Sequence, residues 1–252
     1  SSHLSLSSIG LIKRHMPEIK KTKSAIITGA TTGIGLATAR EFLDRGHNVY
    51  ICGRQTERLA SALTGLAADF GNKRIAGSIC DVRSLTAVEE MVAIAGARFG
   101  RIDTLINNAG VGFTTVFEDI TPDQWEEIID TNLTGVFNCC RAALPWLKKS
   151  KGADIVNMGS RSGRYSFRGG VGYNATKFGL QGFTEALFLD LHQYGIRVSL
   201  VSPGTVATGF GGVTEEDWYL SPKDVAIVIG DIIASHARAA VNMVEIRPAR
   251  PQ

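Results

Sequence analysis

From Ser24 onward, short and almost unbroken apolar runs alternate with longer stretches in which apolar residues recur at helical spacing. A run that is apolar at every position reads as a strand buried on both faces, the kind found in parallel sheets covered by helices above and below. The runs predict strands at Ser24–Thr28, Asn48–Cys52, Arg74–Cys80, Thr104–Asn107, Asp154–Met158, Arg197–Val201 and Val241–Ile246. Between them, helices are predicted at Ile34–Arg45, Thr56–Phe70, Leu85–Phe99, Asp123–Leu147, Tyr173–Tyr194 and Pro222–Ala234. Thr121-Pro122 and Ser221-Pro222 mark two helix starts, because a hydroxyl satisfies free N–H groups and proline needs none at the first helical position. Pro145 is expected to kink or end the long fourth helix. The pattern therefore predicts an α/β fold, a doubly wound parallel seven-stranded sheet forming one domain over 24–252, with no fixed-period repeat.

Composition narrows the class without changing it. The 252 residues are 44% hydrophobic and 20% charged, as in ordinary globular domains, and a net charge of +3 spread along the chain is no nucleic-acid footprint. Cys52, Cys80, Cys139 and Cys140 show no CxxC spacing, so free thiols and a cytoplasmic setting are expected. No apolar run approaches the roughly 18 residues a membrane helix needs, so no membrane partner is expected. Residues 1–23, rich in Ser and Lys, have no apolar signal core and read as an N-terminal extension.

Candidate chemistry begins where the first predicted strand meets the first helix, at Thr28-Gly29-Ala30-Thr31-Thr32-Gly33-Ile34-Gly35. Glycines let backbone approach a pyrophosphate, and the N–H groups of a helix start attract an anion, so Gly29, Thr31, Thr32, Gly33, Ile34 and Gly35 are candidate dinucleotide contacts. The second strand ends on Cys52-Gly53-Arg54, where an NAD enzyme would carry an acid for the ribose hydroxyls. A guanidinium there suits the 2′-phosphate of NADP(H), with NAD(H) as the lesser option should Arg54 point away. Asp81 and Val82 end the third strand, with Asp81 a polar contact to adenine or a helix cap before Ser84. Asn107, Asn108, Ala109 and Gly110 end the fourth, with Asn107 either facing the ligand or satisfying loop backbone.

Tyr173 and Lys177 stand four apart, on one helix face, which sets a cation beside a weak acid and would lower its pKa. Ser160, at the end of the fifth strand, comes to the same sheet edge. TGATTGIG, CDV, NNAG, the Asn132 of TNLTG, the Ser160 of NMGS, YNATK and SPGTVAT, in this order and spacing, resemble the single-domain branch of the short-chain dehydrogenase/reductase family from Ser24 onward. The resemblance implies a Rossmann-like fold and an oxidoreductase that moves a hydride between NADP(H) and a small-molecule carbonyl or alcohol, of ketone, 3-oxoacyl or hydroxy-acid type. It implies that Tyr173 is the acid or base, that Ser160 bonds the substrate oxygen, and that Lys177 holds ribose and tunes Tyr173. It assigns Asn132 to a water leading to Lys177, and Pro203, Gly204, Val206 and Thr208 to the cofactor. It also implies a homotetramer or dimer. One departure is Thr32, where NADP(H) enzymes often carry a second basic residue.

The segment 209–220 is expected to form a short lid, with Phe210, Trp218 and Tyr219 making an apolar wall together with Phe113 and Phe167. Arg161, Arg164 and Arg168 crowd the loop between Ser160 and Tyr173 and suggest either an anionic substrate or solvated charges. A silent NADP(H)-binding sensor or scaffold is the alternative function, against which the intact Asn132, Ser160, Tyr173 and Lys177 argue. A sugar-nucleotide epimerase would need a longer C-terminal domain. No metal site is expected.

Overall fold

The computed structural model describes residues 22–212 and 216–249. Residues 1–21 of the expected extension and part of the expected lid lie outside the described residues. Strands β1 (Ser24–Ile27), β2 (Asn48–Gly53), β3 (Ile75–Ile79), β4 (Thr104–Asn107), β5 (Asp154–Met158), β6 (Arg197–Pro203) and β7 (Met243–Ile246) form one sheet in the order β3-β2-β1-β4-β5-β6-β7. Every pairing is parallel. Helices α1 (Gly33–Asp44), α2 (Thr56–Phe70), α3 (Leu85–Phe99), α4 (Pro122–Ile129), α5 (Gly135–Leu147), α6 (Val171–Leu191) and α7 (Pro222–Ala234) cover it.

Alternate side chains of each strand feed two separate cores, which is why the strands read as continuous apolar runs. Ile26, Tyr50, Leu105 and Ile155 pack with Met91, Cys139 and Leu180 of α3, α5 and α6. Their neighbours Ile27, Ile51, Ile106 and Val156 pack on the opposite face with Phe42, Leu66 and Ile229 of α1, α2 and α7. No helix of the described residues is long and apolar enough to cross a membrane.

Helix starts follow their caps. Thr121 and Ser221 each form a reciprocal capping box, with Gln124 and Asp224, ahead of a first-turn proline. The predicted long helix Asp123–Leu147 is broken by a π-helical segment, Asp130–Thr134, and the break, not Pro145, is its main irregularity. Pro145 lies in the last turn of α5, which ends two residues later at Leu147. The sixth helix begins at Val171, two residues before the predicted start, and its last predicted turn is a 3-10 helix, His192–Tyr194.

Where α3 meets α5, the helices touch through Gly96: a Cβ there would stand 2.6 Å from Cε2 and Cη2 of Trp146. Gly96→Ala should therefore destabilise the protein by about 1–3 kcal/mol despite alanine's better helix propensity, because the indole is already packed. Urea denaturation checks this, and an unchanged or raised midpoint would show that the two helices separate freely.

Candidate active site

Strand order reverses between β1 and β4, whose connections leave on opposite sides, so their carboxyl ends open a crevice where open α/β sheets take ligands. The turn after β1 is fixed by the end of β4. Asn108 Nδ2 donates to the carbonyls of Thr28 (3.0 Å) and Gly29 (2.9 Å), while Thr28 Oγ1 accepts from the N–H groups of Asn108 and Ala109. Gly29 has a φ of 62°, and a Cβ on it would lie 2.7 Å from the Ala109 Cα, so only glycine lets the two chain segments meet. Gly35 is buried behind this contact, where a Cβ would press on Asn108 and Gly29, and it packs the turn without facing the cleft.

One half of the cleft is lined by Thr31, Arg54, Arg58, Asp81, Val82 and Thr131. Arg54 is half exposed and stands 3.5 Å from Glu127 of α4. Arg58, from the first turn of α2, reaches both halves of the cleft, and the sequence reading missed it. The signal was available: Arg58 follows Arg54 by only four residues, in the first turn of the helix that the end of β2 leads into. Asp81 accepts from its near neighbour Arg83, whose guanidinium holds the carboxyl below its ordinary range, while Ser84 itself caps α3.

The other half, a chamber of about 480 Å³, is lined by Thr32, Gly33, Ile34, Asn108, Ser160, Tyr173, Lys177, Pro203, Gly204, Val206, Thr208 and Phe210. Gly29, Ala109 and Gly110 border both halves. Met158, Gly159, Thr205 and Gly209 also line it, contacts that sequence spacing did not single out. Of the aromatics expected to wall the substrate space, Phe210 does so, its ring centroid 6.0 Å from that of Tyr173. Phe167 lines a side cavity, and Trp218 stacks edge-on against Tyr219.

Asn132 lies in the π-helical segment and is fully buried. Its amide accepts from Val111 N–H (2.9 Å) and donates to Val111 carbonyl (2.9 Å) and Thr176 Oγ1 (3.1 Å), so it ties the π segment to α6 and to the loop after β4. Asn107 turns away from the cleft: buried, it donates to Asn157 Oδ1 (2.8 Å) and Cys140 Sγ (3.3 Å), and Asn157 donates on to Thr184. Of its two open readings neither is met, since its partners are core side chains.

The electrostatics of the pair differ from the sequence expectation. Burial dominates at Tyr173 and raises its pKa, and a hydrogen bond from Ser160 only partly offsets it. Lys177 Nζ sits 5.5 Å from the Tyr173 ring centroid and donates to the Met158 carbonyl at 2.7 Å. Burial depresses its own pKa to about 8. Both groups are thus held toward their neutral forms by the same cause, desolvation.

Over residues 23–217 the sequence matches the family described as short chain dehydrogenase. It is 36% identical to a 3alpha-hydroxysteroid dehydrogenase of Mediterraneibacter gnavus, over 75% of this chain and 75% of that protein. It is also 36% identical to sulfoacetaldehyde reductase 2 of Chromohalobacter salexigens, over 89% of this chain and 94% of that one. In three dimensions it resembles the closed form of a serine dehydrogenase complexed with NADP+, with a TM-score of 0.81 and 32% identity, over 88% of this chain and 94% of the other.

The depressed Lys177 sets a stability signature. Between about pH 8 and its unperturbed 10.5, the unfolded chain binds a proton that the native state does not, so this group's contribution to stability rises with pH across that window. Wild type should gain stability relative to Lys177→Met as pH climbs through it, and less below pH 8. Thermal melting of both proteins across the range checks this; a constant difference would mean that the ammonium is not desolvated.

Proposed function

The chain belongs to the short-chain dehydrogenase family, and from that premise we propose that this cleft binds NADP(H) lengthwise and serves hydride exchange with a carbonyl or alcohol carbon. The observation that carries the reading is the meeting of Ser160, Tyr173 and Lys177 on one wall of the chamber, with Arg54 and Arg58 at the other end of the cleft. The protein is an NADP(H)-dependent oxidoreductase of carbonyl and alcohol substrates. The cofactor fits the lining: the glycine turn leaves room for a pyrophosphate to approach the backbone, and the guanidiniums of Arg54 and Arg58, which line the same half of the cleft, would suit a 2′-phosphate. Arg58 makes up for the missing basic residue at Thr32, and the NADP+ complex of the similar serine dehydrogenase supports the same choice. When bound, the nicotinamide supplies or accepts the hydride.

The chain's own part is to position the substrate and to move one proton. Ser160 donates a hydrogen bond to the substrate oxygen, and Tyr173 gives that oxygen its proton in reduction or removes it in oxidation. Because burial raises Tyr173, the phenol stays protonated at neutral pH, which suits proton donation. Oxidation, which needs the phenolate, gains as pH rises. Lys177, on the same wall of the chamber as Tyr173, would hold the nicotinamide ribose. Asn132, pinned on Val111 and Thr176, is the residue we assign to the water that would resupply the proton through Lys177. Pro203, Gly204, Val206 and Thr208 line the chamber and would hold the nicotinamide end, and a Cβ at Gly33 would stand 3.3 Å from the Thr208 side chain.

A cytoplasmic homotetramer or dimer is the assembly in keeping with this reading. Phe137 on α5 and Phe178 and Leu189 on α6 are 47%, 47% and 65% exposed, a large apolar surface for a lone subunit.

Consumption of NADPH and NADH against a panel of ketones, aldehydes and 3-oxo esters tests the function. Tyr173→Phe should lower kcat by about 10²–10⁴-fold with cofactor binding retained. Arg54→Asp, and Arg58→Ala more weakly, should raise KM for NADPH but not for NADH, since each removes a charge-assisted contact to phosphate alone. Equal loss with both cofactors would place the guanidiniums away from the ribose.

A further inference from the structure

Beside the chamber, and sharing Ser160, Pro203, Gly204 and Thr205 with it, lies a second cavity of about 310 Å³. Its other walls are Arg161, Ser162, Tyr165, Ser166 and Phe167, from the loop between β5 and α6. Of these, Arg161 and Tyr165 are in contact, and Arg247 joins them from behind the wall: the guanidiniums of Arg161 and Arg247 stand 5.3 and 5.7 Å from the centroid of the Tyr165 ring. Arg247 comes from the chain just past β7, so the two cations reach the ring from elements far apart in sequence.

Both also bear on one carboxylate. Glu245 of β7 pairs with Arg247, stands 3.7 Å from Arg164 and 4.0 Å from Arg161, and is only 21% exposed. Three guanidiniums against one carboxylate leave a local charge of +2 around Glu245, and Arg161 carries that cluster into the cavity wall next to Ser160. Arg168, which the sequence placed in the same group, is exposed and pairs with no carboxylate among the described residues, so the cluster is Arg161, Arg164 and Arg247. The ring and the carboxylate hold planar guanidiniums in place while each remains half exposed, with N–H groups left to donate.

We propose that this side cavity receives the anionic end of the substrate, and that the enzyme acts on short carbonyl or hydroxy compounds carrying a carboxylate or sulfonate a few bonds from the reacting carbon. The inference rests on the oxidoreductase reading above and names its substrate class. With the substrate oxygen on Ser160, a short chain can reach over Ser160 into the cavity, where an oxyanion meets the surplus positive charge and the hydroxyls of Ser162 and Ser166. The volume lies near the lower end of small-molecule sites, room enough for a short anionic group. Glu245 sets the charge: it orients the arginines but also competes with the ligand for them.

The test compares acetoacetate with methyl acetoacetate, using NADPH and the full-length enzyme. Arg164→Gln and Arg247→Gln should each raise KM for acetoacetate about tenfold and leave kcat/KM for the ester within about threefold. Glu245→Gln should move KM for acetoacetate the other way, a sign that a merely structural role does not produce. Acid and ester falling together, or all three variants weakening acetoacetate alike, would overturn the proposal while leaving the oxidoreductase reading intact. Should no carbonyl compound be turned over, that reading fails, and the cavity is judged by methanesulfonate added to the NADPH-mixed protein. Thermal stabilisation of wild type that is lost in Arg247→Gln upholds an anion site, and an equal response in both overturns it.

Discussion

The side chain of Asn108 joins the two strands between which the cleft opens. Its amide holds the carbonyls of Thr28 and Gly29 while Thr28 returns the contact to the backbone of Asn108 and Ala109. Those carbonyls stand just past the end of β1, where no sheet ladder satisfies them, and an unmet buried polar group costs about 1–3 kcal/mol. The same contacts dictate the glycines, because Gly29 and Gly35 are packed so closely against Ala109 and Asn108 that side chains would collide. The shape of the cofactor cradle thus follows from one amide and the space left around it.

Desolvation governs the other end of the cleft. The phenol of Tyr173 and the ammonium of Lys177 are both drawn toward neutrality by burial, and only the Ser160 hydroxyl and the Met158 carbonyl work against it locally. A group poised in this way responds strongly to an added charge, because little water remains to screen it. The π-helical segment contributes by placing Asn132 inward, where its amide locks the loop after β4 to α6. A regular helix through that region would turn the following residues by a different angle and break the contact.

Charge is distributed along the site in a simple way. Arg54 and Arg58 stand at one end and Arg161 at the other, where it shares Glu245 with Arg164 and Arg247, and the chamber between them adds Lys177 to a lining of glycines, small residues and Phe210. Each cationic end is tempered by carboxylates, Glu127 and Asp81 at one and Glu245 at the other. A dinucleotide with a phosphorylated ribose and a small anionic substrate would each bring negative charge to opposite ends, away from the carbon where the hydride moves.

The strands and six predicted helices were legible in the sequence because their determinants are local: alternate burial on both sheet faces makes continuous apolar runs, and caps with prolines fix the starts of α4 and α7. Tyr173, Lys177, Ser160, Arg54 and the glycine turn were legible because spacing along one helix or at a strand end fixes where they go. Other features depended on groups brought together from distant parts of the chain. Asn107 faces the core because Asn157 lies beside it on β5 and Cys140 packs on it from α5. Tyr173 is raised, not lowered, because burial is a sum over every neighbour. The cluster at Glu245 needs β7 laid beside β6 to bring Arg247 within reach of the loop after β5. By itself the sequence determined the order of elements and which residues reach the sheet's carboxyl edge, since backbone geometry carries that information along the chain. Tertiary structure alone decided which of them touch and how far water is excluded, since contact and desolvation depend on every element packed around a point.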